Sequence, residues 1–106
     1  MSIIENFNLL TDPMFQILDQ EGNVVRPDLL PKWSDEQMRE AYINMVFTRM
    51  ADQKLINLQR QGRCGSYPSI EGQEACQIGS IMGLQKTDWI FPAFLELAAC
   101  YMHGAP

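Results

Sequence analysis

The sequence predicts a mostly α-helical chain with a small hairpin near its N-terminus. Apolar residues keep helical spacing from Met38 to Leu58 behind a well-formed helix start. Two further apolar segments, at 70–85 and 93–103, have the length and end signals of helices. Only residues 15–26 show two short apolar runs around a glycine-containing turn. With 106 residues, the chain suits one small domain at most.

The first part of the chain, residues 1–33, reads as an N-terminal arm with a short hairpin. Residues 1–14 lack periodicity, and apolar runs at 15–18 and 24–26 flank a turn at 19–23. Gly22 supplies the positive φ angle that such a turn needs. Because an isolated two-stranded hairpin is marginal in water, we expect this one to lie against another element.

The second part, residues 34–106, is predicted to be helical and begins with a long helix. Ser34 is the predicted N-cap, with Gln37 at the capping-box position, and the helix runs to Gln61 before Gly62 stops it. This length is about seven turns. Its apolar residues do not form one narrow stripe, so we expect contacts with partners on more than one side.

Two features of the long helix are open to interpretation. Arg49 and Asp52 lie three residues apart and are predicted to pair on the surface. Met38, Met45 and Met50 suggest either core packing or an adaptable binding surface, and we favour core packing.

The second predicted helix, 70–85 with Ser69 as N-cap, carries glycines where larger residues are expected. Gly72, Gly79 and Gly83 predict a close approach to this backbone, either inside the fold or across a subunit boundary. Glu71 and Glu74 lie at its start and could form an acid and base pair. We favour helix capping, since acidic residues are preferred at helix N-termini.

The third predicted helix, 93–103, follows a short apolar run stopped by Pro92, and Gly104 ends it. Its longest uninterrupted apolar run, 97–102, is far too short to span a membrane. No basic and apolar secretory signal opens the sequence. We therefore expect no membrane partner and a cytoplasmic location.

Charge and cysteine content exclude several classes of function. The net charge of −5 argues against nucleic acid as a partner. Cys64, Cys76 and Cys100 are interpreted as thiols in a reducing cytosol rather than a disulfide or metal site.

Arg60 and Arg63 flank Gly62 in a turn that could receive an anion, although we favour a solvated helix C-terminus. No complete active site can be assembled, so neither catalytic residues nor metal ligands are predicted in this chain.

Three short motifs carry a family resemblance: LQRQGR at 58–63, GQEA at 72–75 and DWIFP at 88–92. In this order the chain resembles the alpha subunit of the thiamine-diphosphate-dependent decarboxylase component of 2-oxo acid dehydrogenase complexes. Residues 15–25 resemble the N-terminal arm of the bacterial pyruvate-type members, and residues 47–52 the helix before the basic turn. The resemblance implies the N-terminal part of a larger α/β thiamine-diphosphate-binding fold, ending before the family's Gly-Asp-Gly motif.

The same resemblance implies an activity, cofactors and partners. The intact subunit would decarboxylate pyruvate oxidatively, linking glycolysis to acetyl-CoA, and pass the acyl group to lipoyl-lysine. It would use thiamine diphosphate with Mg²⁺, a beta subunit in a heterotetramer, and a lipoyl acyltransferase core. The 106-residue chain alone is expected to be inactive.

Two positions are implied to bind the cofactor, Phe94 and Leu95, which match a Tyr-Arg or Phe-Arg pair of the family that contacts the diphosphate. Phe94 can replace tyrosine in lining the site. Leu95 offers neither donors nor charge in place of arginine. A substrate-side histidine of some members is Pro68 here.

Three other hypotheses remain open. The chain could be a truncated or degenerate relative without catalysis that docks to a beta subunit or to another copy of itself. It could belong to a branched-chain 2-oxo acid dehydrogenase alpha subunit, or be a self-sufficient helical domain of unrelated function.

Overall fold

The computed structural model describes residues 8, 10–11 and 14–105. Backbone contacts divide the chain into two compact units, Met1–Lys32 and Trp33–Pro106. The helices of the described residues are α1, Asp35–Arg60; α2, Glu74–Met82; and α3, Leu97–His103. Among the described residues of the first unit, Pro27–Leu29 form a 3₁₀ turn. No strand is formed within these residues, and the predicted mostly α class is confirmed.

The predicted hairpin is present as a turn with one antiparallel bridge, between Leu18 and Val24. Gly22 has the predicted positive φ of 84° and donates to Asp19 O at 3.1 Å. The Asp19 carboxylate closes the turn by accepting from the Asn23 backbone at 2.7 Å. Four apolar side chains of the hairpin are about half exposed: Phe15, Leu18, Val24 and Val25. Because the hairpin buries little apolar surface, longer strands gain little stability. The predicted arm at 1–14 lies largely outside the described residues.

Helix α1 confirms the end signals read from the sequence. The Ser34 side chain accepts from Gln37 N at 3.2 Å, and the Gln37 side chain accepts from Ser34 N at 2.9 Å. At the other end Gly62, with φ 69°, donates to Gln59 O, and Arg63 N donates to Leu58 O. These two bonds form a Schellman motif, so local chemistry sets both ends of the 26-residue helix.

We expect Ser34→Ala to lower the free energy of unfolding by about 1 kcal/mol, because the mutation removes one half of this capping box. Urea denaturation followed by circular dichroism measures the change. Ser66→Ala, at an exposed loop position, is the matched control and should change stability by less than about 0.5 kcal/mol. Equal effects of the two mutations would contradict a capping role for Ser34.

Helix α2 begins four residues later than predicted and ends three residues earlier. The predicted first turn is irregular because the Ile70 N–H and the Ser69 hydroxyl both donate to Asp52 of α1. Gly72 then has a φ of 92°, which a right-handed helix does not allow. The Ser69 hydroxyl is therefore hydrogen-bonded to α1 and does not serve as the N-cap of α2.

Helix α3 also begins later than predicted, at Leu97 instead of residue 93. The backbone N–H groups of Ala93, Phe94 and Leu95 all donate to the Glu96 carboxylate, at 2.9, 3.1 and 3.1 Å. This arrangement folds residues 93–96 into a bend in front of the helix. Gly104, with φ 112°, ends α3 as predicted.

The core of the second unit lies where α1, α2 and α3 meet. Ala41, Ile70, Ile78 and Ala98 form its buried cluster, and four partly buried side chains pack against it: Met45, Met82, Leu95 and Met102. Core packing was predicted for three methionines of α1. It holds for Met45 and is wrong for Met38 and Met50, which are more than half exposed.

Helix α1 also exposes an apolar face. The helix buries Ala41, Thr48 and Asp52, whereas large apolar residues elsewhere on it are exposed: Tyr42, Ile43, Val46, Phe47 and Met50. Phe47 stacks on Tyr101 of α3 with ring centroids 5.0 Å apart. Trp89, Phe91 and Phe94 are also strongly exposed. Within the described part of the chain, no helix is long and apolar enough to cross a membrane.

No side chain packs closely against the glycines at 72, 79 and 83 within the described residues. A Cβ atom added to Gly79 would meet nothing within 4 Å, and one added to Gly83 would meet only Ser80 O at 3.4 Å. Gly72 lies in the turn before α2. No residue of the described fold therefore closely approaches this backbone, and the predicted approach across a subunit boundary stays a prediction.

Candidate functional site

The connection between α1 and α2 is held by a buried carboxylate, Asp52, whose exposed fraction is 1%. Its Oδ1 accepts from the Tyr67 hydroxyl at 2.7 Å and from Ile70 N at 2.9 Å. Its Oδ2 accepts from the Ser69 hydroxyl at 2.7 Å. Burial opposes ionisation, but these three donors outweigh it and lower the pKa of Asp52. The carboxylate therefore fixes residues 67–70 against α1.

A second buried carboxylate, Glu74, begins α2 and is 4% exposed. It forms an ion pair with Arg49 of α1 and accepts from Gly72 N at 3.0 Å. Arg49 also lies 3.3 Å from the exposed carboxylate of Glu71. The hydrogen bond from Arg49 lowers the pKa of Glu74 to about 2. An acid this strong stays ionised near neutral pH, so Glu74 is unsuited to donate a proton in catalysis.

These contacts correct two expectations. The predicted surface pair of Arg49 with Asp52 is wrong, because Arg49 bonds to Glu71 and Glu74 while Asp52 receives three donors from the connection. Helix capping also describes the acidic pair incompletely. Glu71 lies outside α2, and Glu74 links two helices, a role visible only once α1 and α2 are brought together.

The two predicted cofactor positions point in different directions. The Phe94 side chain is 75% exposed, whereas the Leu95 side chain is partly buried against the core cluster. Both belong to the bend that Glu96 holds. The pair is thus an aromatic ring at the surface followed by an apolar anchor.

Residues 94 and 95 do not fit the diphosphate that the resemblance implies for them. The sequence from 87 to 102 contains no lysine or arginine. The N–H groups of residues 93–95, which could bind an anion, already donate to Glu96. Phe94 and Leu95 therefore offer an apolar and aromatic lining, with neither a charged side chain nor an uncommitted backbone N–H for a phosphate.

Other residues considered for binding lie apart from this bend. Arg60 and Arg63 are exposed around the Gly62 turn, and both interpretations of that turn remain open. All three cysteines are free thiols. Across residues 8, 10–11 and 14–105, no group of three or more His, Cys, Asp or Glu side chains is placed to hold a metal ion. Pro68 lies in the connection beside Tyr67.

Sequence reasoning missed the residues that organise the site: Asp52, Tyr67, Glu96 and Gln77. Gln77 of α2 is buried and bonds to the 95–99 backbone. A polar residue at a position with core periodicity is the one signal that could have found Asp52 and Gln77. Their partners are 15 to 22 residues away along the chain, beyond the reach of local patterns.

Comparison with known proteins gives concordant matches. A family model described as "Dehydrogenase E1 component" matches residues 42–106. The pyruvate dehydrogenase E1 component subunit alpha of Staphylococcus aureus is 47% identical over 93 residues, which are 88% of this chain and 25% of that protein. The corresponding subunit of Staphylococcus epidermidis is 46% identical over the same length. The chain spans about a quarter of the length of the curated relatives it matches.

Proposed function

The chain belongs to the dehydrogenase E1 component family, and we propose that it forms part of a pyruvate dehydrogenase-type alpha subunit. The intact subunit would catalyse oxidative decarboxylation of pyruvate and transfer the acyl group to lipoyl-lysine. The observation that carries this proposal is the 47% identity across 88% of the chain to subunits named for that role. The same names favour pyruvate over a branched-chain 2-oxo acid.

The cofactor of the proposed activity is thiamine diphosphate with Mg²⁺, which supplies the carbon nucleophile and electron sink for decarboxylation. Residues of this chain would border it and not hold its phosphates. Phe94 would present its exposed ring as one edge of the site, and Leu95 would anchor that edge on the core. The Mg²⁺ and diphosphate contacts would come from other residues, since no Gly-Asp-Gly motif occurs in these 106 residues.

The proposed partners are a beta subunit and the lipoyl acyltransferase core, in the cytoplasm. The exposed apolar face of α1 and the exposed aromatic residues of 89–94 support association with other protein surface. The open position at Gly79 supports a close approach from a partner as well.

The proposed position of Phe94 and Leu95 at the edge of the cofactor site can be tested with Leu95→Arg in the natural polypeptide assembled with its beta subunit. Leu95 packs on the core, so an arginine there would reach the edge of the site only with the end of its long side chain. If that edge lies beside the diphosphate, the new guanidinium should raise thiamine diphosphate affinity about tenfold, measured by calorimetric titration with Mg²⁺ present. The aliphatic stem of arginine can cover the same apolar surface as leucine. Leu95→Met is the matched control and should leave the affinity unchanged. Unchanged affinity in Leu95→Arg would contradict the placement.

A second candidate function, a non-catalytic docking module, is favoured by the lack of donors at position 95. It requires a stable hetero-oligomer or homo-oligomer without affinity for thiamine diphosphate. The intact mass of the polypeptide made by its source organism separates the two functions. A heavier polypeptide that contains Gly-Asp-Gly supports the decarboxylase subunit, and a mass of 12.1 kDa supports the docking module.

A further inference from the structure

Gln77 is a buried amide that the family assignment leaves without a role. Its side chain is 7% exposed on α2, next to the core residue Ile78. Its Nε2 donates to Leu95 O at 2.9 Å, and its Oε1 accepts from Ala98 N at 3.1 Å and Ala99 N at 3.4 Å. Only this orientation of the amide places a donor on the carbonyl and an acceptor on the two N–H groups.

The two ends of the amide join the 93–96 bend to the first turn of α3. Leu95 O belongs to the 93–96 bend, and the N–H groups of Ala98 and Ala99 belong to the first turn of the helix, where backbone donors lack intrahelical acceptors. Glu96 makes no side-chain cap to α3, because its carboxylate turns back to residues 93–95. Gln77 therefore caps α3 from another helix and fixes the carbonyl that follows Phe94.

We propose that Gln77 is a positioning residue that sets the direction of the Phe94 side chain. By holding Leu95 O on one side and α3 on the other, it allows one conformation of the bend, with Leu95 on the core and the Phe94 ring outward. The inference rests on the proposed function only where it assigns that ring to the edge of the cofactor site.

The unmodified chain provides the first test. A scalar coupling across the hydrogen bond, between the Gln77 side-chain nitrogen and the Leu95 carbonyl carbon, should be detectable by NMR in isotope-labelled protein. Its absence, in spectra where couplings across the hydrogen bonds of α1 are seen, would overturn the proposal even if every variant failed to fold.

Gln77→Glu then separates the two ends of the amide. The ionised carboxylate still accepts from Ala98 and Ala99 but cannot donate to Leu95 O, whereas the protonated acid can do both. At a pH where Glu at position 77 is ionised, the protection of the Phe94 and Leu95 amides from hydrogen exchange should fall about tenfold, while the Ala98 amide stays protected. At a pH where this Glu is protonated, protection of the Phe94 and Leu95 amides should return to the wild-type value. Protection that is equal at the two pH values would overturn the proposal.

Other carboxylates on the elements around Gln77 must be separated from this response: Asp52 of α1, Glu74 of α2 and Glu96 before α3. The wild type, measured over the same pH range, reports their titration. Gln73→Glu adds the same charge at an exposed position of α2's N-terminus and is the matched control. If Gln73→Glu reproduced the profile of Gln77→Glu, a positioning role would be wrong. These readouts involve no cofactor, so their failure would leave the proposed function standing.

Discussion

Asp52→Ala should destabilise the second unit by about 3 kcal/mol, a large part of the total stability of a small domain. The mutation removes the acceptor for three donors, and one of them, Ile70 N–H, is buried and has no access to water. The connection from 67 to 70 would lose three of its hydrogen bonds to α1, and Ile70 is one of the most deeply buried residues of the core. Urea denaturation followed by circular dichroism measures the loss.

Three variants make this result specific to the carboxylate. Tyr67→Phe and Ser69→Ala each remove one donor and should each cost about 1 kcal/mol. Asp52→Asn keeps the size and one acceptor oxygen, so its effect should lie between the single-donor variants and Asp52→Ala. If Asp52→Ala were no more destabilising than Ser69→Ala, the connection would not depend on this carboxylate.

Glu74→Gln should cost about 2 kcal/mol, because it breaks the ion pair of a nearly buried carboxylate with Arg49 and weakens its bond to Gly72 N. Glu71→Gln is the matched control. Glu71 contacts the same arginine from an exposed position, so its loss should cost less than about 0.5 kcal/mol. Equal losses in the two variants would show that burial of Glu74 contributes nothing.

The same pair predicts a pH dependence. The pKa of Glu74 is lowered from its ordinary 4.5 to about 2 in the folded chain. A group with a lowered folded-state pKa stabilises the fold fully above the unfolded pKa, and this contribution is lost as the pH falls towards the folded value. Stability should therefore decrease from about pH 4.5 to about pH 2. In Glu74→Gln this decrease should be smaller, and an unchanged slope would contradict the account.

Much of the fold could be predicted from local chemistry. Ser34, Gln37 and Gly62 set the ends of α1 through contacts no more than five residues apart, so the sequence alone located that helix well. Gly22 and Gly104 identified a turn and a helix end for the same reason. Each of these signals depends only on residues that are close together in the sequence.

The starts of α2 and α3 were predicted wrongly because distant or unusual contacts replace helical bonds there. Ser69 looks like an N-cap, but it bonds to Asp52, which is 17 residues away. Glu96 looks like a helical residue, but its carboxylate holds the three N–H groups before it. In both places a side chain competes with the helix for backbone donors, and local pattern cannot show which one prevails.

The candidate site was predicted less well than the fold. The resemblance located Phe94 and Leu95, but only the structure shows that the first is exposed and the second is packed on the core. Gln77 and Asp52, which organise the backbone around the site, carry no motif of their own. Their importance depends on burial and on partners brought together by the packing of three helices.

The most direct measurement is the activity of the assembly that contains this polypeptide, purified from its source organism through an affinity tag on the polypeptide. Pyruvate-dependent reduction of ferricyanide would be followed with and without added thiamine diphosphate and Mg²⁺. The proposal predicts reduction that requires both and that is slower with a branched 2-oxo acid. An assembly that contains the polypeptide and its partner in stoichiometric amounts, yet oxidises no 2-oxo acid with the cofactor present, would contradict it.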